Sequence, residues 1–298
     1  MKNTSMSDKS FGVINTILVT FITLIIIYPL IFVISASISD PSAVSTGRMW
    51  LWPVDITFEG FKKVFANEVI WLGYRNTIMY TVLGTALHLF VLLPCAYALS
   101  RKELAGKKYV LWFILFTMLF NGGLIPTYLV IKNLQMLDTI WAIVIPGLLG
   151  AWSILVARTF FEQTIPDQLV EASKIDGASD YKIFWQIVLP LSLPIIAVMA
   201  LFHAVALWNQ YFNALIYLSN DKLYPLQLIL RQILVLNEVD ASGAGGGGGV
   251  AESFVEQIKT ASLIKYAVII VSALPLLIAY PFLQRFFVKG VLIGSVKE

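Results

Sequence analysis

Apolar residues dominate this chain in six long runs, each closed by polar or charged stretches. The runs are Ile14 to Ile38, Thr77 to Leu99, Tyr109 to Ile131, Thr139 to Phe161, Leu191 to Tyr217 and Leu263 to Phe287. Crossing about 30 Å of hydrocarbon takes roughly 20 mainly apolar residues. Each run is long enough, and the pattern predicts an all-α membrane protein with six transmembrane helices. Helices of soluble globular proteins average about 11 or 12 residues and usually carry a polar face. Asn121-Gly122-Gly123 and Pro126 interrupt the third run, and Pro146-Gly147 sits near the middle of the fourth. A cleaved signal peptide does not fit the first run, which is too long and has no small-residue cleavage site.

Six spans put both ends of the sequence on one side. The short segment 100–108 carries Arg101, Lys102, Lys107 and Lys108. Short basic loops stay cytoplasmic, so an N-in, C-in arrangement is expected. Lys2, Lys9, Arg285, Lys289 and Lys297 agree. The segments 39–76 and 218–262 then face outward. Trp50, Trp52 and Trp71 in the first are read as interfacial anchors. The second contains five consecutive glycines, 245–249. Their backbone entropy disfavours helix and strand, so they are read as a flexible spacer.

Composition agrees: 58% of the 298 residues are hydrophobic and 13% charged. That excludes a disordered chain, a coiled coil and a disulfide scaffold. The sole cysteine, Cys95, sits inside an apolar run. A formal charge of +3 gives no basis for nucleic-acid binding.

The segment 162–190 is the most informative. Pro166 suits the first turn of a helix, and Asp167 adds negative charge at that positive end. Leu169, Ala172 and Ile175 or Asp176 share one face. Gly177 is a C-terminal stop. Ser179 or Asp180 caps a second short helix. That helix is expected to expose Tyr181, Phe184, Trp185 and Val188 along one side, as a docking edge for a protein. An amphipathic pair lying on the membrane is the other reading. Five acids (Glu162, Asp167, Glu171, Asp176, Asp180) against Lys174 and Lys182 argue against an anionic lipid surface.

Glu171-Ala172-Ser173, then Gly177, then Ile187, then Leu189-Pro190 resembles the signature loop of ABC importer permeases: Glu-Ala-Ala, three residues, Gly, nine residues, Ile, any residue, Leu-Pro. Every spacing fits, and Ser173 stands for the second Ala. Asp176-Gly177-Ala178, Leu189-Pro190-Leu191 through Pro194, and Trp208-Asn209-Gln210-Tyr211-Phe212 extend the likeness to the MalG-like carbohydrate permeases of the LplC/YtcP-like subgroup. The resemblance implies the type I importer (MetI-like) permease fold over 1–298, in a bacterial cytoplasmic membrane. It also implies that 162–190 is a cytoplasmic coupling loop seated on an ATPase subunit. Glu171, Ala172, Asp176, Gly177, Phe184, Trp185, Leu189 and Pro190 are then the coupling residues. The implied partners are a second, different permease, a cytoplasmic ATPase dimer and an extracytoplasmic solute-binding protein. The outer segment 218–262 is a contact for the last. The implied cargo is an oligosaccharide or polysaccharide fragment, acidic ones included, with another small polar solute as the alternative.

Polar side chains at membrane depth usually face protein or a water-filled path. Trp208, Asn209, Gln210, Tyr211 and Asn213 are therefore substrate-path candidates, joined by Asn121 at the break in the third run and by Trp152. The competing reading is hydrogen bonding between neighbouring helices. His88 and His203 are read as isolated structural histidines. No metal cluster, catalytic constellation or phosphate-binding Lys-Ser/Thr loop stands out. The chain is expected to be non-catalytic and to bind no cofactor, with ATP and Mg on the partner ATPase.

Overall fold

The computed structural model describes residues 6–233, 264–278 and 281. The chain forms two compact units, 1–70 with 230–274 and 71–229 with 275–298. Most residues beyond 278, and residues 234–263 with the glycine run 245–249, lie outside the described residues.

The first unit contains α1 (Met6–Ser37), α2 (Pro41–Ser45) and α3 (Glu59–Ala66). Asp40 ends the turn after α1 and starts α2, its carboxylate accepting from the Ser42 amide at 2.8 Å. Ser35 donates to the Leu51 carbonyl at 2.6 Å and folds the following segment back on α1. Ala36, Ala43 and Met49 form a small core there, with Phe32 edge-on to Tyr266 at 6.1 Å. The remainder of α1 is different. None of its most apolar 18-residue window is buried within the chain. Such a surface is compatible with lipid or with another chain, and not with water.

From Glu68 the chain runs through α4 (Glu68–Ser100), the second long apolar helix. Pro94 interrupts its hydrogen bonding but not its course, as membrane helices tolerate. Next come α5 (Lys107–Leu119), α6 (Leu124–Asn133), α7 (Trp141–Val144), α8 (Ala151–Thr164) and α9 (Asp167–Ile175). Then α10 (Asp180–Ile183) passes into a π-helical turn, Phe184–Val188, followed by α11 (Leu189–Leu191), α12 (Leu193–Trp208) and α13 (Phe212–Tyr217). The helix 226–233 is α14, and Ile264–Ile278 is α15.

Several expected spans are broken. α5 and α6 meet at 115° across Asn121-Gly122-Gly123, where Gly123 has φ +87°. Asp180–Leu191 and Leu193–Trp208 meet at 79°. The fourth run is split by Pro146 and by Gly147 at φ +78°, so α7 and α8 are separate. The fifth is split again between Trp208 and Phe212. Among the described residues, two helices are long and apolar enough to cross a membrane, and four if each bent pair is one span. The fold is thus all-α, multi-helix and membrane-embedded.

Within the second unit, one core joins Leu92, Ala96, Ala157, Phe161, Val170, Ile183, Val188 and Met199, so α4, α8, α9 and α12 share it. A second core joins Tyr80, Ile143, Val144, Ala214 and Leu228. α4 also anchors the segment 222–226 through buried polar bonds. Asn76 donates to the Lys222 and Tyr224 carbonyls at 2.8 and 3.0 Å, and Tyr80 to the Leu223 carbonyl at 2.7 Å.

Candidate functional site

Two places in the second unit gather the residues singled out by the sequence. The first is the segment 158–190. Pro166 precedes α9 with an extended backbone, and Asp167 opens the helix. Asp167 pairs with Arg101 and, at 2.8 Å, with Lys102. The Lys102 hydrogen bond, outweighing slight burial and aided by Arg101, holds the Asp167 carboxyl below the usual aspartate range. Glu162 accepts from Lys107 at 2.8 Å and from Arg158 at 2.6 Å. Burial pushes its carboxyl up, but those two hydrogen bonds prevail and hold it low. The basic loop and the acidic segment are therefore bound to each other.

Val170 and Ser173 turn inward from α9, while Leu169, Glu171, Ala172, Ile175 and Asp176 are exposed. Ile175 is 87% exposed, an unusual state for an isoleucine. Asp176 caps the helix, its amide donating to the Ala172 carbonyl at 3.0 Å. Gly177 then turns the chain at φ +79°. The Ser179 hydroxyl accepts from the Lys182 amide at 3.3 Å, which identifies Ser179 as the cap of α10. Among the described residues Glu171 has no ion-pair partner.

One expectation fails here. Tyr181, Phe184, Trp185 and Val188 do not share an exposed side. Tyr181 and Trp185 are exposed, whereas Phe184 and Val188 are buried. The cause is the π turn, which spreads its residues more widely around the axis than α-helical spacing assumes. The Phe184 ring lies 5.4 Å from that of Tyr97 on α4. Leu189 is half-buried against the core and Pro190 is exposed at the bend before α12.

The second place is a cavity of about 330 Å³ beside the end of α12. Asn209, Gln210, Tyr211 and Asn213 line it together, with His203, Ala206, Leu207 and Phe212, and with Pro146 and Gly147 from the break between α7 and α8. Asn209 donates to the Val205 carbonyl at 2.8 Å and so caps α12 as well. Three candidates lie apart. Trp208 is buried with its ring against Tyr74 at 6.3 Å. Trp152 stands edge-on to Phe202 at 5.5 Å. Asn121 accepts from the Gly123 amide at 2.9 Å and shapes the break between α5 and α6.

His88 and His203 are not isolated. Their rings stack at 4.0 Å, within 4° of parallel. His88 bonds through Nδ1 to the Leu148 carbonyl at 2.6 Å. Sequence reasoning missed His203 as a lining residue. Its place seven residues before Gln210, two turns along one helix face, was the available signal. Among the described residues no cluster of three metal-ligating side chains occurs.

Residues 69–293 match the family model for the binding-protein-dependent transport system inner membrane component. The chain is 37% identical to protein LplC of Bacillus subtilis (strain 168), over 100% of this chain and 98% of LplC. It is 38% identical to the polygalacturonan/rhamnogalacturonan transport system permease protein YtcP of the same organism, over 98% of this chain and 100% of YtcP. A chain from the crystal structure of a bacterial ABC transporter involved in the import of the acidic polysaccharide alginate superposes with a TM-score of 0.84. It shares 34% identity, with 96% of this chain and 100% of that chain covered. This chain belongs to the family of binding-protein-dependent transport system inner membrane components, as a membrane-embedded, non-catalytic ABC importer permease related to LplC and YtcP.

Proposed function

We propose that this permease carries oligosaccharides or polysaccharide fragments, acidic ones included, through an ATP-driven importer. It would work in the six-span, N-in, C-in arrangement of the MetI-like fold. Its partners would be a second, different permease, a cytoplasmic ATPase dimer and an extracytoplasmic solute-binding protein. The observation that carries the reading is the exposed apolar face on both sides of Gly177. Leu169, Ala172 and Ile175 supply it before the turn, and Tyr181 and Trp185 after it. Burying one large apolar side chain contributes about 1.5–3 kcal/mol, so an ATPase groove covering this face gains substantially. Glu171 and Asp176 are charged contacts at its rim, and Ala172 permits close approach. Leu189 and Pro190 join the segment to α12, so a pull on one reaches the helix beside the cavity. Phe184, being buried, holds the segment to α4 and does not touch the ATPase.

The sugar assignment is supported by the cargo of the relatives: polygalacturonan or rhamnogalacturonan for YtcP, and alginate for the structural neighbour. The cavity suits it, since amides can both donate to and accept from hydroxyls. The test is ATP hydrolysis by the reconstituted complex with its binding protein, against neutral and acidic oligosaccharides. Stimulation by acidic oligosaccharides is expected. An assembled complex that responds to no sugar would overturn the carbohydrate assignment and favour another polar solute.

A further inference from the structure

Both ends of α4 are gripped by other parts of the second unit. At the inner end, Arg101 donates to Asp167 in the first turn of α9, and its guanidinium lies 5.8 Å from the centre of the Tyr97 ring. Tyr97 stands one turn earlier on the same face, and its ring meets Phe184 at 5.4 Å and Phe161 at 5.8 Å. One turn of α4 thus holds the segment 162–190 twice, before Gly177 and after it. Two attachments leave no free pivot, so the segment and the end of α4 move together. That end is itself closed by cations. Arg158 donates to the Leu99 carbonyl at 3.1 Å and Lys107 to the Ser100 carbonyl at 3.3 Å, and Glu162 accepts from both side chains. They meet carbonyls that a helix end otherwise leaves open.

At the outer end, α4 holds the segment 222–226. A Cβ on Gly73 would come within 3.0 Å of the Leu226 Cα, so backbone lies against backbone there. The Thr77 hydroxyl accepts from the Leu226 amide at 2.8 Å, beside the bonds from Asn76 and Tyr80 to the Lys222, Leu223 and Tyr224 carbonyls. Asn76, Thr77 and Tyr80 are all buried. The residues just before this grip, Ser219 to Lys222, are exposed. Asp138 accepts from the Ser219 and Asn220 amides, so this polar corner is fixed as well as open.

Asn76 and Arg101 stand about 38 Å apart along the helix axis. The hydrocarbon core is about 30 Å thick, so the two grips lie on opposite sides of it. α4 is unbroken between them. The route from the loop through α12 is jointed instead: it bends by 79° at Ser192 and stops at Trp208.

We propose that α4 is the rod that carries movement between the ATPase side and the outer corner 219–222, where the solute-binding protein seats. Arg101 and Tyr80 are positioning residues at its two ends. The proposal rests on the partners proposed above. It adds the route by which one partner senses the other.

The test uses the complete transporter reconstituted in lipid. It measures ATP hydrolysis with and without binding protein saturated with trigalacturonate. The variants are Arg101→Gln, which leaves Lys102 to neutralise Asp167, and Tyr80→Phe, which removes only the hydroxyl. If one fails to assemble with the ATPase, the other carries the measurement. Each is expected to hydrolyse ATP at the wild-type rate without binding protein, and to lose about fivefold or more of the stimulation that binding protein gives, the lower end of ordinary coupling between sites. Stimulation equal to wild type in both would overturn the proposal and leave the partners standing. An equal fall in both rates, or failure of both variants to assemble, would mean that these bonds only hold the fold, and would also overturn it. A wild-type complex that loaded binding protein does not stimulate would overturn the proposal together with the reading beneath it.

Discussion

The Phe184 ring lies 5.4 Å from the Tyr97 ring, tilted by 36°, and this contact fixes the second half of the loop to α4. Its neighbour Trp185 faces outward, 43% exposed, against 8% for Phe184. Adjacent aromatics therefore separate by role. Phe184→Ala is expected to destabilise the chain by about 3–5 kcal/mol, as large-to-small changes of buried aromatics do. Trp185→Ala should leave the melting temperature near wild type and weaken recovery of the ATPase. Thermal melting in detergent and co-purification measure the two effects. A strongly destabilised Trp185→Ala would refute the separation.

Asp167 gives a pH-dependent prediction. Its carboxyl sits below the ordinary value of 3.8, chiefly through the Lys102 hydrogen bond. A depressed carboxyl contributes stability above its unfolded value and loses it as pH falls through the folded one. Asp167→Asn should therefore melt below wild type at pH 7, with the gap closing as pH drops beneath about 3.8. Lys102 is 82% exposed, so added salt should narrow the gap as well. Melting curves at several pH values, at low and high salt, check both trends.

Gly177 is at φ +79°, yet a Cβ there would meet nothing within 4 Å. Its substitution is resisted by the backbone alone. Gly177→Ala is expected to destabilise by about 1–2 kcal/mol. Gly177→Leu should add little further instability but should block the proposed ATPase contact, because the added atoms project into the open side. Comparing melting temperature with ATPase recovery for the two variants tests this. Normal transport by the leucine variant would remove Gly177 from the docking face.

Gly84 shows the opposite case. Its helix geometry is ordinary, but the added Cβ would press on Leu207. Gly84→Ala gains about 1 kcal/mol of helix propensity but forces the Leu207 side chain to shift, so a net destabilisation of at most about 2 kcal/mol is expected. Combined with Leu207→Ala, the loss should be smaller than the sum of the two single losses, since one change makes room for the other. Simple additivity in melting experiments would place the strain elsewhere.

What could be read in the sequence was local. α9, the turn at Gly177 and the Ser179 cap each depend on neighbours within a few residues, and each formed as expected. Asn121-Gly122-Gly123 likewise announced the break between α5 and α6. The faces of Phe184 and Val188 were misread because α-helical spacing was extended through residues that wind as a π turn. The run from Leu191 to Tyr217 hid two breaks, one at Ser192 and one between Trp208 and Phe212, behind continuous apolar character. His88 and His203 looked unrelated because they lie on different helices, and single-sequence patterns do not report which helices touch.

The π turn also makes the loop sensitive to length in a way that composition does not reveal. Such a turn is an α-helix carrying one surplus residue. A π turn absorbs that residue locally, so removing one from 184–188 would restore a regular helix with little rotation, whereas a further insertion would rotate everything before it by about 100° relative to α12. Ile183 would leave its core, and the face formed by Leu169, Ala172 and Ile175 would point elsewhere. Further insertions in this stretch should thus be far less tolerated than substitutions or loss of the surplus residue, because they change the angle at which the chain meets its neighbour while leaving every side chain intact.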